Sequence, residues 1–473
     1  MPSRTPGGRT QSLSRGGFFK GLSDRNWRKV FFVNTRAAAA RILSSYNHQY
    51  FNYDRKISDT AAQLKLSQKD QDFLYILVKG VILYRAYLDY VIQMVLHASI
   101  DKLENVVLNL LRVGVFQYLI LETPRYAVTN ETVKAAKSLK IFSAVGLINA
   151  ALRHLPSREI VDKQLEQLAQ NEALAIRESH PRWLIDRWIK QYGLKNTKQI
   201  ASFNNSYQTI YFRHNPVKTD WDSLKSKTVE MGLEINIEAV EPIVFFSVNK
   251  PGLLLKSELF GEGFFSVQDI SQSPAVRLLD PHKEEIIIDA CAAPGGKTGF
   301  IAQMTGATKG IYAYDISPGK IKMLQNEAFR LGIDFVNYDV ADAGTDTFPA
   351  ADKILLDVPC SGTGVLARRA DLRWNRKEED IDKLVEKQRQ ILDNMVKYLN
   401  PGGVIVYSTC SIEPEENQGN IDWFLKKHPS FEIDAASRFV ENKWCDESGA
   451  VRILPHIHQK TGSFAVRLLN KGK

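Results

Sequence analysis

Asp289-Ala-Cys-Ala-Ala-Pro-Gly-Gly-Lys-Thr298 is the stretch on which the fold turns. Ahead of it, Ile286 to Ala290 reads as a short buried strand, and behind it a helix opens. Gly295 and Gly296 let a ligand approach the backbone closely. The free amides at the start of the helix attract a carboxylate or a phosphate. Gly-Lys-Thr invites comparison with a Walker loop, but that spacing requires glycine at position 291, where Cys291 stands. The dinucleotide pattern GxGxxG is missing as well. What is left is a strand–loop–helix unit shaped for a nucleoside with an anionic tail.

Downstream, strands and helices alternate. Gly310 to Tyr314, Phe335 to Tyr338, Lys353 to Asp357 and Gly403 to Ser408 read as further buried strands, with helical patterns at Gly319 to Leu331 and Glu379 to Leu399. The alternation predicts a doubly wound, largely parallel sheet that binds ligands beyond the carboxyl ends of its strands. Asp315 ends the second strand, where an acid can grip both hydroxyls of a ribose. Asp339 follows the third and can meet an adenine amino group, with Asp342 as its rival. Three acids in that order behind such a loop point to S-adenosylmethionine.

Two cysteines fall on the same edge. Asp357-Val-Pro-Cys-Ser-Gly-Thr-Gly364 follows the fourth strand; Tyr407-Ser-Thr-Cys-Ser411, then Ile412-Glu-Pro-Glu-Glu-Asn417, follows the fifth. A single cysteine after a strand is usually core. Two in polar, small-residue turns on the ligand edge suggest chemistry. A thiolate that adds to carbon 6 of cytosine makes carbon 5 nucleophilic enough to take a methyl group. Asp357 can hydrogen-bond ring nitrogen 3 and the exocyclic amine, provided that it carries a proton. A basic neighbour such as Lys297 would raise the thiolate fraction. Spacing alone leaves open which of Cys360 and Cys410 attacks.

The rest of the chain has a different texture. From Asn34 to Arg153 the pattern is helical, as at Phe73 to Ile92, at Leu103 to Leu111 with its i, i+3, i+4 apolar face, and at Leu147 to Leu152. Between Leu155 and Ser257 come a helix from His180 that Gly193 can end, a strand at Thr209 to Arg213, an amphipathic helix from Asp220 to Met231, and a strand at Ile243 to Val248. Tyr211, Phe212 and Arg213 suit RNA stacking and phosphate contact, or a half-buried strand.

With 473 residues, two or three domains are expected. No apolar run reaches the roughly 18 residues of a membrane span, so no membrane association is expected. The four cysteines form no CxxC pair, which argues against a metal site or a disulfide framework and for a reducing, cytoplasmic setting. The net charge is +9, and residues 1–29 hold seven Lys/Arg against one acid, Asp24. That Gly/Ser-rich segment reads as a basic flexible tail, whether an arm for phosphates, a solvated terminus or a targeting peptide.

The motifs DACAAPGGKT, the aspartate of YAYD, DVPCSGTG and YSTCSIEPEENQ resemble those of the Sun-type RNA 5-methylcytosine methyltransferase family. Gly263-Phe-Phe-Ser-Val-Gln-Asp269-Ile-Ser-Gln272 is similar to a further segment of that family. The resemblance implies a Rossmann-like α/β catalytic domain that uses S-adenosylmethionine. It makes Cys410 the nucleophile, gives Cys360 product release or general base work, and gives Asp357 cytosine recognition. Cofactor contacts carry over to Cys291, Ala292, Ala293, Pro294, Gly295, Gly296, Lys297, Asp315, Asp339 and Asp357. Asn34-Thr-Arg-Ala-Ala-Ala-Ala-Arg-Ile-Leu43, Val78 to Arg85, Tyr126 to Ala136 and Gly146 to Arg153 resemble the all-α, NusB-like RNA-binding domain of the bacterial Sun (RsmB) branch, which acts on 16S ribosomal RNA.

The expected organisation is therefore a tail at 1–33, a NusB-like domain at 34–160, a linker and small α+β, RRM-like module at 161–257, and a methyltransferase domain at 258–473. The expected partner is RNA, as 16S ribosomal RNA or an assembling small subunit, and a monomer is expected. A transfer-RNA cytosine methyltransferase would use the same site. An RNA-binding assembly factor without catalysis is the alternative of another class, against which the two thiols, Asp357 and the intact loop all speak.

Overall fold

Residues 34–45, 53–239 and 243–472 are described by a computed structural model; the basic segment 1–33 lies outside them. The chain divides into two compact units, Met1–Tyr207 and Gln208–Lys473.

The first unit is helical throughout its described residues. Asn34 caps the helix Thr35–Ser44 by accepting from the Ala37 amide at 3.1 Å. The expected helices at Phe73 to Ile92 and Leu147 to Leu152 lie within Gln68–Val95 and Val145–Arg153, and the one expected from Leu103 begins two residues later, as Asn105–Leu119. Gly80 lets the first two of these pack closely, because a Cβ there would stand 2.0 Å from the Phe116 ring. Asp89, a polar break in an apolar helix, receives a two-pronged bond from the buried Arg112 at 2.6 and 2.8 Å. The helix expected to end at Gly193 does so, and a second helix follows it across a kink, the two together spanning Arg182–Asn204. Gly193 leaves helical geometry (φ 76°, ψ 162°). The chain then resumes because Thr197, Ile200, Ala201 and Asn204 line a buried face at helical spacing.

The second unit contains two sheets. The smaller uses β1 (Phe212–His214), β2 (Ile235–Ala239), β3 (Phe245–Val248) and β4 (Phe265–Val267). Their order is β2-β3-β1-β4 and every pairing is antiparallel. With the helix Trp221–Glu230 after β1 and the short helices Pro251–Leu255 and Glu258–Gly261 after β3, this is a ferredoxin-like βαββαβ unit. Its core is aromatic: Phe212 meets Phe265 edge-on at 5.2 Å and Phe246 at 5.5 Å. The expected boundary after residue 257 is corrected here, because β4 comes from beyond it. Tyr211, Phe212 and Arg213 are all buried, so their side chains are core groups and offer no surface for bases or phosphates.

The larger sheet runs β10-β12-β9-β8-β5-β6-β7, with β11 beside β12. Its strands are β5 (Ile287–Asp289), β6 (Ile311–Asp315), β7 (Asn337–Val340), β8 (Ala351–Asp357), β9 (Leu399–Thr409), β10 (Phe431–Asp434), β11 (Val451–Ile453) and β12 (Ser463–Asn470). β5 to β9 are mutually parallel, and β12 runs antiparallel to β9. The chain order reverses between β5 and β8. That switch point opens a crevice at the carboxyl ends of the two strands, which end in Asp289 and Asp357.

Candidate active site

The loop after β5 is held from above and below. Gly295 takes φ 107° and starts the helix Gly296–Thr305; a Cβ there would press on Leu324 Cγ at 3.1 Å. The Thr298 hydroxyl donates to Asp289 at 2.7 Å. Burial pushes the Asp289 carboxyl up to about 7. From the small sheet, Arg213 donates to the Gly296 carbonyl at 2.8 Å and to the side chains of Gln303 (2.9 Å) and Gln268, and lies 4.8 Å over the Phe300 ring. Complete burial pulls its pKa down to about 9. Ala292 anchors the loop to β6 through the Tyr314 carbonyl at 2.8 Å, and the Ala293–Pro294 bond is cis. Burial, then the charge of Asp289, raises the Cys291 thiol.

Asp315 ends β6 nearly buried, with one oxygen accepting from the Ser317 amide at 3.0 Å and the other 3.6 Å from Lys320 Nζ. Asp339 lies within β7, is exposed, and accepts from the Val340 amide at 2.8 Å. Asp342 is committed elsewhere: Lys387 holds both its oxygens at 3.0 and 2.9 Å, and the Gly344 amide reaches it at 2.8 Å. Between the two rivals, Asp339 has the accessible carboxylate. A glycine cradle, helix-terminal amides and a strand-end acid fit a nucleoside with a carboxylate tail.

The thiols meet across the next two strand ends. Cys360 Sγ and Cys410 Sγ are 3.2 Å apart and both are half-buried. The hydrogen bond between the two thiols holds Cys410 below its ordinary value. The Lys297 charge adds to this effect against burial and Asp357. Cys360 is driven well above its ordinary value by the same bond, with burial and the charges of Cys410 and Glu416 adding to it. Lys297 Nζ also donates to Asp357 Oδ2 and to Gln272 Oε1, each at 2.6 Å. Ser408 Oγ donates to Asp357 Oδ1 at 2.9 Å. Both carboxylate oxygens of Asp357 therefore act as acceptors. Lys297, Asp357, Cys360 and Cys410 form one cluster.

Neighbouring backbone groups and arginines hold this cluster in place. Gly364 donates to the Cys410 carbonyl at 3.0 Å and accepts from the Gly462 amide at 2.7 Å. Arg376 reaches the Cys360 and Ser361 carbonyls at 3.1 and 3.2 Å. Arg368 bonds Asp269 at 2.6 Å and the Thr209 carbonyl at 2.7 Å, Arg369 pairs with Asp371 at 3.0 Å, and Arg373 is buried. The arginines after the Pro-Cys motif thus serve the fold. Only the run EPEEN carried a signal for the buried Glu416 and Asn417.

This strand order, with a Gly-Gly loop at the switch point and acids ending successive strands, defines a Rossmann-like methyltransferase dependent on S-adenosylmethionine. The family model "16S rRNA methyltransferase RsmB/F" matches residues 276–469, "NusB family" matches 33–157, and a "Methyltr_RsmF/B-like, ferredoxin-like domain" matches 180–243. Ribosomal RNA small subunit methyltransferase B of Photorhabdus laumondii is 31% identical over 448 residues, covering 93% of this chain and 99% of its own. The protein of that name from Klebsiella pneumoniae is 31% identical over 449 residues, with the same coverage. The chain belongs to the ribosomal RNA small subunit methyltransferase B (Sun, RsmB) family. Among solved structures, PH0851 has a TM-score of 0.76 at 25% identity, covering 93% of this chain and 100% of its own. The expected all-α front domain and α/β catalytic domain are present, and the expected small α+β module is the ferredoxin-like unit.

Proposed function

We propose that this chain methylates carbon 5 of a cytosine in 16S ribosomal RNA through a covalent bond between Cys410 and the base. The observation that carries this reading is the pair of thiols 3.2 Å apart beside the Lys297–Asp357 ion pair. When bound, S-adenosylmethionine supplies an electrophilic methyl group. Gly295, Gly296 and the amides of the following helix would hold its anionic tail, Asp315 its ribose and Asp339 its adenine.

Cys410 bonds carbon 6 as a thiolate, and carbon 5 gains the electron pair with which it takes the methyl group. The carbon 5 proton then leaves to a base, the carbon 6–sulfur bond breaks, and its electrons return to Cys410. Cys360 donates its S–H to that departing sulfur. The bond favours the release role over the base role, since a protonated thiol accepts no proton. Asp357 accepts from the exocyclic amine of cytosine, where uracil presents a second acceptor. The proton that Asp357 needs toward ring nitrogen 3 resides on Lys297 Nζ, 2.6 Å away. The base enters unstacked.

The names of the relatives and the matched NusB model support a small-subunit RNA substrate; in this reading the protein meets it in the cytoplasm, free or in an assembling subunit, and acts as a monomer. Among the described residues, no helix is long and apolar enough to cross a membrane. The test is incubation with unmodified 16S ribosomal RNA, unmodified transfer RNA and labelled S-adenosylmethionine, followed by mapping of the product base. 5-Methylcytosine in the ribosomal RNA is expected. A product on uridine or adenine contradicts the chemistry, and methylation confined to transfer RNA contradicts the substrate.

A further inference from the structure

We propose that Glu416 is a positioning residue for the thiol pair: it fixes the Pro-Cys loop so that Cys360 stays in hydrogen-bond contact with Cys410 while Cys410 reacts. The inference rests on the thiol chemistry proposed above.

Glu416 is completely buried, six residues past Cys410, and makes no contact with the cofactor loop among its hydrogen bonds. Its carboxylate accepts from the Ser361 amide at 2.8 Å, from the Ser361 hydroxyl, and from Gln388 Nε2 at 2.9 Å. Ser361 directly follows Cys360, and Gln388 Nε2 also donates to the Pro359 carbonyl at 2.9 Å. One carboxylate therefore grips the loop immediately after Cys360, and through Gln388 immediately before it. The far end of the brace is equally fixed: the Glu416 carbonyl accepts from the buried Tyr407 hydroxyl at 2.6 Å, on the strand that leads to Cys410. Asn420 Nδ2 bonds both Gln388 Oε1 and the Tyr407 hydroxyl, at 2.8 and 3.0 Å. A buried carboxylate is costly unless several donors satisfy it, and here two of the three come from the loop that carries the second thiol.

The charge has a direction as well. Glu416 raises the thiol of Cys360, whereas Lys297 lowers that of Cys410. Glu416 and Asp357 raise Cys410 as well, so the thiol–thiol bond and the Lys297 charge are what set Cys410 below Cys360.

The variant Glu416→Gln removes the charge and places an amide donor against the donors of Ser361 and Gln388. Folding is checked by thermal melting and cofactor affinity by calorimetry with S-adenosylmethionine. Each cysteine is then alkylated with iodoacetamide across pH and read by mass spectrometry, in parallel with turnover on unmodified 16S ribosomal RNA. The expected result is unchanged cofactor affinity, Cys360 alkylation that begins at lower pH than in the wild type, and a kcat lower by about tenfold or more with KM for RNA preserved. An unchanged Cys360 profile, or cofactor affinity lost in step with turnover, overturns the proposal. Should Glu416→Gln fail to fold, Ser361→Ala removes one of the three bonds and is read by the same criteria, with a smaller shift of the same sign expected. The alkylation profile needs no RNA. A failure of the cytosine mechanism therefore appears as absent 5-methylcytosine in the wild type, and a failure of the positioning role as an unmoved Cys360 profile.

Discussion

Cys360 and Cys410 are the same side chain at the ends of neighbouring parallel strands, yet their surroundings make opposite demands. The Cys410 turn faces the cofactor loop, where Lys297 lowers the thiol. The Cys360 turn is held at its carbonyl by Arg376 and flanked by the buried Glu416, which raises the thiol. The lesson is that reactivity here is set by what lies across the sheet edge, since each turn alone is only a small polar loop with a cysteine in it. Chemistry that is symmetric in composition becomes directional through the bond between the thiols and the Lys297 charge from the helix after β5.

Removing the positive side of this contrast has the larger expected effect. Lys297→Met takes away a charge that lowers Cys410 and leaves Asp357 without its ion pair. The thiolate form is required, so activity falls as pH drops through the Cys410 value. Raising that value moves the acid limb of the pH–rate profile to higher pH. At neutral pH, kcat should fall about 10²-fold or more. An acid limb that stays in place would mean that Lys297 acts only on the cofactor.

A milder change tests whether the two turns act as one unit. Gly364 links them, and an added Cβ would stand 2.5 Å from the Gly462 carbonyl oxygen and 2.8 Å from that of Cys410. Because both obstacles are backbone, Gly364→Ala must push the turns apart. Stability should fall by about 1–3 kcal/mol in a denaturant titration, and the alkylation profiles of the two cysteines should move toward each other. A stability loss with the profiles unmoved would show that the thiols do not need this contact.

Much of the architecture was legible because it rests on short-range pattern. The loop Asp289 to Thr298, the strand-end acids and the two cysteine turns each declare themselves within about ten residues of apolar run and glycine punctuation. What the sequence hid is long-range. Arg213 reads as a surface cation in a β-rich run, but its bond to Gly296 spans 83 positions, and no local pattern marks a buried guanidinium. Glu416 meets Gln388 across 28 positions and Ser361 across 55. Nothing local after the Pro-Cys motif marks that Arg368 turns to Asp269 and Arg376 to the Cys360 carbonyl. Strand β7 lies two residues later than expected because it is an exposed edge without apolar alternation. Gly193 ends its helix as expected, and the second helix that follows it across the kink was not foreseen.

The division of labour between the thiols is tested most directly by trapping the covalent complex. Wild type, Cys410→Ala and Cys360→Ala proteins would be mixed with unmodified 16S ribosomal RNA and S-adenosylmethionine, denatured, and digested for mass spectrometry of the cysteine-linked nucleotide. Cys360→Ala is expected to accumulate a denaturation-resistant complex through Cys410, and Cys410→Ala to form none and to lose methylation. A complex that forms through Cys360 and survives Cys410→Ala would reverse the two roles.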